Sequence, residues 1–335
     1  MNDFRRLDMK GYMGIDVGSV STNIAVIDEN NRVIDSVYIR TQGQPIKAVQ
    51  NALREIKNKI GDMVSKGVGT TGSARQLTGL MVGADIVKNE ITAHAVAASN
   101  VIKDVRTVIE IGGQDSKIII LRDGVVVDFA MNTVCAAGTG SFLDQQAYRL
   151  NIPIEQFGDI ALQSKSPVRI AGRCSVFAES DMIHKQQMGY ALPDIISGLC
   201  DALVRNYLNN VGKGKEIKEP IVFQGGVAAN KGIKAAFEKA LGMKVYVPEH
   251  YGVMGAIGAA ILAKEAVKEK GYTSFKGFEV SDFKYRAVGF ECTACPNRCE
   301  VVEFIQGDEV ISRWGDKCGR WSNSTSKKVH ANTAS

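Results

Sequence analysis

The sequence predicts an α/β protein with two duplicated domains and a small cysteine-rich module towards its carboxyl end. Three observations predict this class: a glycine-containing hairpin that occurs twice, a Gly-Gly turn after a buried strand, and four clustered cysteines. The chain has 335 residues, a length sufficient for two or three domains. Its 45% hydrophobic and 23% charged residues are ordinary for a globular protein.

The duplicated hairpin is read from GIDVGSVSTNIAVID (14–28) and VIEIGGQDSKIIILR (108–122). Each copy has an apolar strand that carries one acid, a glycine turn with small hydroxyl residues, and a second apolar strand, a pattern typical of a tight β-hairpin. The ungapped pairs are Asp16 with Glu110, Gly18 with Gly112, Thr22 with Ser116, and Ile24 with Ile118. Two unrelated hairpins would not be expected to match at both the acid and the glycine.

The hairpin turns have the chemistry of phosphate-binding sites. Glycines such as Gly18, Gly112 and Gly113 let backbone N–H groups approach an anion closely. The hydroxyls of Ser19, Ser21 and Thr22 add donors. The carboxylates of Asp16 and Asp115 are suited to hold Mg²⁺, directly or through water.

A third glycine element begins at a predicted buried strand, residues 221–224, and continues as Gly225, Gly226 and Val227. Ligands of open α/β sheets bind at the carboxyl ends of such strands. The missing side chains at Gly225 and Gly226 would let a base or ribose lie on the backbone. An ordinary strand-to-helix turn remains the alternative.

These three elements together resemble the actin, Hsp70 and sugar-kinase superfamily. The resemblance implies two duplicated actin/Hsp70-like (RNase H-like) domains with ATP in the cleft between them. We expect a first ATPase domain over residues 1–98, completed by a returning helix over 253–268, and a second over 99–252. A cysteine-rich module over 284–322 and a mobile polar tail over 323–335 would follow.

Two isolated cysteines each precede a predicted helix. Cys135 lies in NTVCAAGTGSFLD, where the spacing of Ser141 and Asp144 indicates a helix start near Ser141, and Cys174 precedes SVFAESDMIHKQQM. Helix N-termini favour thiolate over thiol and can donate hydrogen bonds to sulfur. Packing in the core, a nucleophilic thiolate and ligation of an iron–sulfur cluster remain open as explanations.

The cluster explanation carries a condition, because an all-thiolate cluster of this kind requires four sulfurs and the two elements supply two. A two-fold homodimer would supply Cys135 and Cys174 from each chain to a 4Fe–4S cluster on its axis. Cys200, in contrast, lies inside an apolar helical run over 195–208, which favours simple core packing.

The motifs NTVCAAGTGSFLD, GRCSVFAESD, EIGGQDSK and FQGGVAAN closely resemble the ATP-dependent activators of 2-hydroxyacyl-CoA dehydratases. They equally resemble the ATPase subunits of benzoyl-CoA reductases and the reductase partner of double-cubane cluster proteins. The resemblance runs from about residue 13 to 264. It implies a homodimer with one interfacial 4Fe–4S cluster held by Cys135 and Cys174 and one ATP/ADP site per subunit. In that site, Asp16, Gln114, Asp115 and the Gly225–Gly226 turn match the nucleotide-binding positions.

The resemblance further implies an ATPase that passes low-potential electrons to an iron–sulfur enzyme and receives them from a ferredoxin or flavodoxin. Gln114 is the candidate for orienting water and Asp115 for metal or base work. Which of the three acceptor classes the chain serves is open, with a preference for the reductase partner of a double-cubane protein or an otherwise unassigned reductase partner. A small-molecule sugar or acyl kinase is the main alternative, and an Hsp70-like or actin-like assembly protein is a third.

The cysteine-rich module has the form C-x₂-C-x₃-C followed by a hairpin that turns at Gly307 and a fourth cysteine. Four cysteines in so short a span predict a metal site, either Zn²⁺ or a second iron–sulfur cluster. Its predicted ligands are Cys292, Cys295, Cys299 and Cys318. A vestigial appendage is the alternative.

Net charge and hydropathy argue against a nucleic-acid-binding protein and against a membrane protein. A net charge of +5, a pI of about 8.7 and the lack of a basic patch argue against a nucleic-acid partner. No apolar run reaches the roughly 18 residues that a membrane helix needs, and the amino-terminal stretch has no apolar signal region. We therefore expect a cytoplasmic protein.

Overall fold

The computed structural model describes residues 10–61 and 64–329. Residues 330–335 of the predicted tail therefore lie outside the described residues. The described chain forms two five-stranded sheets and one three-stranded sheet, with helices on both faces of the larger sheets. None of the helices in these ranges is long and apolar enough to cross a membrane.

The first sheet has the strand order β3-β2-β1-β4-β5. Its strands β1 and β2 form the first predicted hairpin, with Asp16 opposite Asn23 in an antiparallel register. Strand β4 pairs with β1 in parallel, because a helix connects β3 to β4. The strands are β1 Lys10–Val17, β2 Ser21–Ile27, β3 Val33–Arg40, β4 Val64–Thr71 and β5 Ile86–Val87.

The second sheet repeats this arrangement in the order β10-β9-β6-β7-β8. Strands β6 and β7 form the second hairpin, with Glu110 opposite Lys117, and β9 pairs with β6 in parallel. The predicted duplication is therefore present in the topology as well as in the hairpins. The strands are β6 Thr107–Ile111, β7 Ser116–Arg122, β8 Val125–Asn132, β9 Ile221–Gln224 and β10 Val245–Tyr246.

Amphipathic helices cover both sheets and bury one hydrophobic core against each face. The helices are α1 Pro45–Ile60, α2 Arg75–Val82, α3 Glu90–Val101, α4 Gly140–Leu150, α5 Ile154–Ala161, α6 Ser175–Gln187, α7 Leu192–Asn210, α8 Lys231–Leu241 and α9 Met254–Lys270. Short 3₁₀ turns occur at 136–138, 226–229, 251–253 and 278–282.

Helix α9 follows the second sheet in the chain yet packs against β1 and β4 of the first sheet and against α3. The contact is close because glycines face it: a Cβ on Gly14 would lie 1.8 Å from the Ala256 carbonyl oxygen. A Cβ on Gly258 would lie 1.9 Å from the Ala93 carbonyl oxygen of α3. Helices α3 and α9 therefore pack backbone to backbone where the two sheets meet.

The carboxyl-terminal sheet has the order β11-β12-β13, with β11 Tyr285–Glu291, β12 Glu300–Gln306 and β13 Glu309–Trp314. The predicted hairpin around Gly307 is β12–β13, and β11 was not foreseen. Phe304 of β12 is fully buried in the core beside the first sheet, in the same cluster as Val280. The module thus gains part of its stability from this shared core as well as from any metal.

Candidate functional site

The two hairpin turns face each other across a cavity between the two sheets. The predicted residues that line it are Asp16, Gly18, Ser19, Ser21, Gly112, Gly113, Gln114, Asp115, Gly225 and Gly226. Val227 lines an adjoining cavity whose wall also contains Leu143 and Ile154, an apolar surface of the kind that an adenine ring contacts. The structure therefore gathers nearly every residue that the glycine motifs identified.

Thr22 is the exception and corrects the sequence analysis. Its side chain is fully buried, and its hydroxyl is 3.0 Å from the hydroxyl of Thr41 instead of at the cavity surface. Successive side chains of a strand point to opposite faces, so the next residue, Asn23, lines the cavity. Thr22 acts indirectly, since Thr41 donates to the Gly18 carbonyl at 2.9 Å and so fixes the turn.

Asp16 lies at the closed end of the cavity, between two glycines. A Cβ on Gly255 would lie 2.1 Å from its Oδ2 atom, and a Cβ on Gly72 would lie 2.6 Å from Oδ1. Burial, with the nearby carboxylate of Glu90, raises the pKa of Asp16 to about 7. Bound Mg²⁺ would oppose this shift, because a cation stabilises the charged carboxylate.

Lys117 occupies the place in the second hairpin that Asn23 has in the first. Its ammonium contacts three carboxylates, at 2.9 Å from Glu90, 2.9 Å from Glu110 and 2.8 Å from Asp115. Burial opposes the charge on Lys117, but these carboxylates outweigh it and raise the pKa of the lysine above its usual range. Lys117 therefore stays protonated and joins α3 to the second hairpin.

Two further buried groups border the cavity. Burial raises the pKa of Glu110 to about 7, against the opposing effect of Lys117. Burial and the Lys117 charge lower the pKa of His94 to about 3, so this imidazole is neutral. Its Nδ1 atom is 2.8 Å from Nε2 of Gln224 at the end of β9, a contact between α3 and the second sheet.

The donor set of the cavity suits Mg²⁺. Asp16 and Asp115 offer hard oxygen atoms, and the hairpin amides and hydroxyls offer phosphate donors. Within 10–61 and 64–329, no three His, Cys, Asp or Glu side chains form a ready-made metal site. One or two carboxylates, waters and nucleotide phosphates usually hold Mg²⁺ together.

Cys135 lies in a loop that two asparagines hold in place. Its backbone N–H donates to Oδ1 of Asn132 at 2.9 Å, and its carbonyl accepts from Nδ2 of the same residue at 2.8 Å. Asn206 of α7 donates through Nδ2 to the Cys135 sulfur at 3.7 Å and to the Gly172 carbonyl at 2.6 Å. Asn206 thus connects the loops of both isolated cysteines.

The second cysteine, Cys174, directly precedes α6, as predicted. The Cys135 sulfur lies 3.9 Å from the carbonyl oxygen of Arg173, so the two loops meet although 38 residues separate these positions. Both thiols are partly exposed. Cys200, by contrast, is fully buried in α7, and burial raises the pKa of its thiol, in agreement with core packing.

Ser141 and Asp144 have the spacing of a capping box, but Ser141 does not cap helix α4. Helix α4 begins at Gly140, with Thr139 before it, and no side chain caps its first turn. The Ser141 hydroxyl instead donates to the carbonyl oxygen of Gly113 at 2.5 Å. The spacing located the helix start within one residue, although the hydroxyl bonds to Gly113 and not to its own helix.

Exposed apolar side chains surround the two cysteines. The neighbours of Cys135 and Cys174 in the chain, and residues further along the same helices, project into solvent instead of packing inside. The exposed fractions are 95% for Val134, 80% for Tyr148, 66% for Val176 and 68% for Phe177. Apolar side chains that are this exposed beside two loops that meet are typical of an interaction site.

Within the described residues, the four cysteines of the carboxyl-terminal module do not form a ready-made metal site. Cys292 and Cys299 are adjacent, with the Cys292 N–H donating to the Cys299 carbonyl at 2.8 Å, whereas Cys295 and Cys318 are exposed. The Trp321 indole N–H donates to the Cys292 sulfur at 3.2 Å. The four-thiolate site stays a prediction.

Sequence reasoning missed Asn23, Glu90, His94, Lys117 and Asn206. The repeat contained a signal for two of them, because Asn23 and Lys117 occupy matching places one residue after Thr22 and Ser116. Glu90, His94 and Asn206 are brought in by helices α3 and α7, which are remote in sequence from the hairpins and cysteines that they contact.

Known proteins resemble this chain. The sequence model of the BadF/BadG/BcrA/BcrD ATPase family matches residues 13–263. The (R)-2-hydroxyglutaryl-CoA dehydratase activating ATPase of Acidaminococcus fermentans is 33% identical over 261 residues, 76% of this chain and 98% of that protein. The 2-hydroxyisocaproyl-CoA dehydratase activator of Clostridioides difficile is 31% identical over 261 residues, 77% of this chain and 96% of that protein.

A solved structure of the 2-hydroxyisocaproyl-CoA dehydratase activator from Clostridium difficile with bound ADPNP is similar to most of this chain. It superposes with a TM-score of 0.70 at 30% identity, over 78% of this chain and 97% of that chain. This likeness and the repeated sheet order confirm the predicted actin- and sugar-kinase-like fold. The family match ends before the three-stranded sheet, so the module lies outside it.

Proposed function

The chain belongs to the BadF/BadG/BcrA/BcrD ATPase family, and from this membership we propose that it is a homodimeric, iron–sulfur-containing reductase driven by ATP. The acceptor of its electrons is proposed to be an iron–sulfur enzyme of the 2-hydroxyacyl-CoA dehydratase, benzoyl-CoA reductase or double-cubane type. The similar proteins named as dehydratase activators support an enzyme partner. A ferredoxin or flavodoxin is the proposed electron donor.

The observation that carries this proposal is the meeting of the Cys135 and Cys174 loops. The two thiols are partly exposed, each lies immediately before a helical segment, and Asn206 contacts both loops. Free cysteines usually pack in the core, as Cys200 does. Two that are instead held together at the surface fit the thiolate chemistry of a 4Fe–4S cluster, of which one chain supplies half the ligands.

A second copy of the chain supplies the other half in this proposal. The exposed apolar side chains of Val134, Val176 and Phe177 flank the cysteines and would be covered when two copies meet around a two-fold axis. The cluster would supply one-electron redox chemistry at the axis. Asn206 would orient the Cys135 sulfur there through its 3.7 Å contact.

The cavity between the hairpins is the proposed ATP site. Asp16 and Asp115 would hold Mg²⁺, which neutralises phosphate charge, while the hairpin amides and hydroxyls bind the phosphate oxygens. Gln114, which lines the same cavity, would orient the attacking water. Lys117 is occupied by three carboxylates, so its role is to fix the hairpin and α3.

ATP hydrolysis would drive electron transfer to the acceptor because the two hairpins that bind the nucleotide belong to different sheets. Moving one electron uphill by about 300 mV costs ~7 kcal/mol, an amount that requires an external driving force. A ligand gripped from both sides favours the closed arrangement by its differential affinity, and hydrolysis removes that preference. The resulting domain rotation would change the angle of the cluster-bearing helices α4 and α6.

The cluster is tested by measuring iron and acid-labile sulfide in anaerobically purified protein, per dimer. We expect about four of each for a 4Fe–4S cluster, in addition to any iron in the carboxyl-terminal module. Cys135→Ser should remove the interfacial share of the iron and sulfide and the part of the brown colour that this share causes. Cys200→Ala is the matched control, because that thiol is buried in α7 and should leave both unchanged.

The coupling is tested on the same preparation. Binding of ADPNP should change the EPR signal of the reduced cluster, because the helices beside the thiols move.

Unchanged iron in Cys135→Ser, or a monomer that retains its iron, would refute the shared cluster. A colourless protein that phosphorylates a small molecule would support a kinase instead.

A further inference from the structure

The amino terminus of helix α4 is bonded directly to the phosphate-binding turn of the second hairpin. The N–H of Gly140 donates to the Gly112 carbonyl at 2.9 Å, and the N–H of Ser141 donates to the Gly113 carbonyl at 2.8 Å. The Ser141 hydroxyl donates to the same Gly113 oxygen at 2.5 Å. Two turn carbonyls thus accept from N–H groups that a helix start leaves without intrahelical partners.

The opposite sides of the same peptide units face the cavity. In a planar trans peptide the carbonyl and the next N–H point in opposite directions, so the N–H groups of Gly113 and Gln114 point away from α4. Both residues line the cavity. In the described part of the chain, neither N–H has a protein acceptor, which leaves both available to an anion.

The approach of α4 to the turn is close enough to require a glycine. A Cβ on Gly140 would lie 2.9 Å from the Gly112 carbonyl oxygen and 3.3 Å from the Gly113 Cα atom. Five residues before Gly140 is Cys135, joined to it by a 3₁₀ turn in which Thr139 donates to the Ala136 carbonyl through both N–H and hydroxyl. A short segment with hydrogen bonds at both of its ends therefore joins the turn to Cys135.

We propose that the Gly112–Gly113–Gln114 backbone transmits nucleotide occupancy to the Cys135 loop, with Ser141 as the positioning residue. A peptide group whose N–H binds an anion becomes a stronger acceptor at its carbonyl, because hydrogen bonds in a chain polarise one another. A phosphate bound to the Gly113 and Gln114 amides therefore tightens the bonds to α4, and its release loosens them. This inference rests on the proposed nucleotide site but needs no movement between domains.

Hydrogen exchange in the full-length, anaerobically purified protein tests the linkage. The probe is ADPNP with Mg²⁺, compared with ADP and with no nucleotide, in peptides that cover residues 132–143. In the unaltered protein we expect ADPNP to slow exchange at Gly140 and Ser141 about fivefold, the combined effect of strengthening the three bonds to the turn. In Ser141→Ala the slowing should fall to about threefold, because one of those three bonds is lost.

Two variants make the result specific. Ser141→Thr keeps a hydroxyl and should restore the ADPNP effect. Ser180→Ala removes a hydroxyl that bonds only within α6, to the Val176 carbonyl, and should leave the effect unchanged. The dissociation constant of ADPNP, measured on each variant, should stay within about twofold, since Ser141 does not touch the cavity.

The outcomes separate this inference from the proposed function. If the unaltered protein does not bind ADPNP, the nucleotide site itself is refuted. If it binds ADPNP but shows no slowing at Gly140 and Ser141, or if Ser141→Ala shows the same slowing, the linkage is refuted and the ATP site stands. The comparison of nucleotides in the unaltered protein decides the matter even if a variant fails to fold.

Discussion

At the scale of single residues, Lys117 has the most demanding position in the molecule. Its side chain is 3% exposed and contacts carboxylates from α3, β6 and the turn after β6. A buried charge is tolerated only when it is paired and hydrogen-bonded. The lysine therefore determines whether Glu90, Glu110 and Asp115 can share one small volume.

We predict that Lys117→Met lowers the free energy of unfolding by about 3–5 kcal/mol, because it leaves three carboxylates without their cation. Urea denaturation measures the change. Lys231→Met is the control, since its ion pair with Asp159 is more than half exposed on both sides and contributes less than about 1 kcal/mol. Equal stability of Lys117→Met and the unaltered protein would show that the network does not need the charge.

At the scale of secondary-structure elements, the packing of α3 on α9 sets how closely the two sheets can approach. Small side chains on both helices leave the backbones almost in contact, as the 1.9 Å from a Gly258 Cβ to the Ala93 carbonyl oxygen indicates. Backbone atoms cannot move aside as the end of a flexible side chain can. One added methyl group must therefore displace a whole helix.

We predict that Gly258→Ala lowers the free energy of unfolding by about 1–3 kcal/mol, the usual cost of overpacking. Gly289→Ala is the matched control, because its Cβ would have no neighbour nearer than 4.0 Å. Chemical denaturation of both variants should separate them clearly. Indistinguishable denaturation midpoints of the two variants would mean that α3 and α9 can shift apart without a loss of stability.

At the scale of the whole molecule, the carboxyl-terminal sheet is attached to the first sheet and its helices through a shared core. Phe304 stacks on Tyr285 with ring centroids 5.3 Å apart and belongs to the same cluster as Met13 and Leu53. Removing the module would therefore expose part of the ATPase core. Point substitution of the cysteines tests metal binding by the module without exposing this core.

We predict that the module binds Zn²⁺ or an iron–sulfur cluster and that Cys318→Ser removes this metal. Metal analysis of the full-length protein should show a loss per chain that Cys135→Ser does not cause. The adjacent Cys292 and Cys299 and the Trp321 N–H bond to the Cys292 sulfur support a thiolate site. Identical metal content in Cys318→Ser and the unaltered protein would refute it.

The sequence by itself determined the local features of this protein. The strand–glycine–strand pattern predicted both hairpins. Cys135 and Cys174 were identified because each precedes a predicted helix. Such features depend on backbone conformation over a few residues, which glycine and strand periodicity specify directly.

Only the tertiary structure decided which side chains share a site. Lys117 meets Glu90, Asn206 meets Cys135, and Ser141 bonds to Gly113 instead of capping its own helix. These contacts depend on how α3, α4 and α7 pack against the second sheet. Packing is set by the summed burial of many side chains, so no short stretch of sequence specifies it.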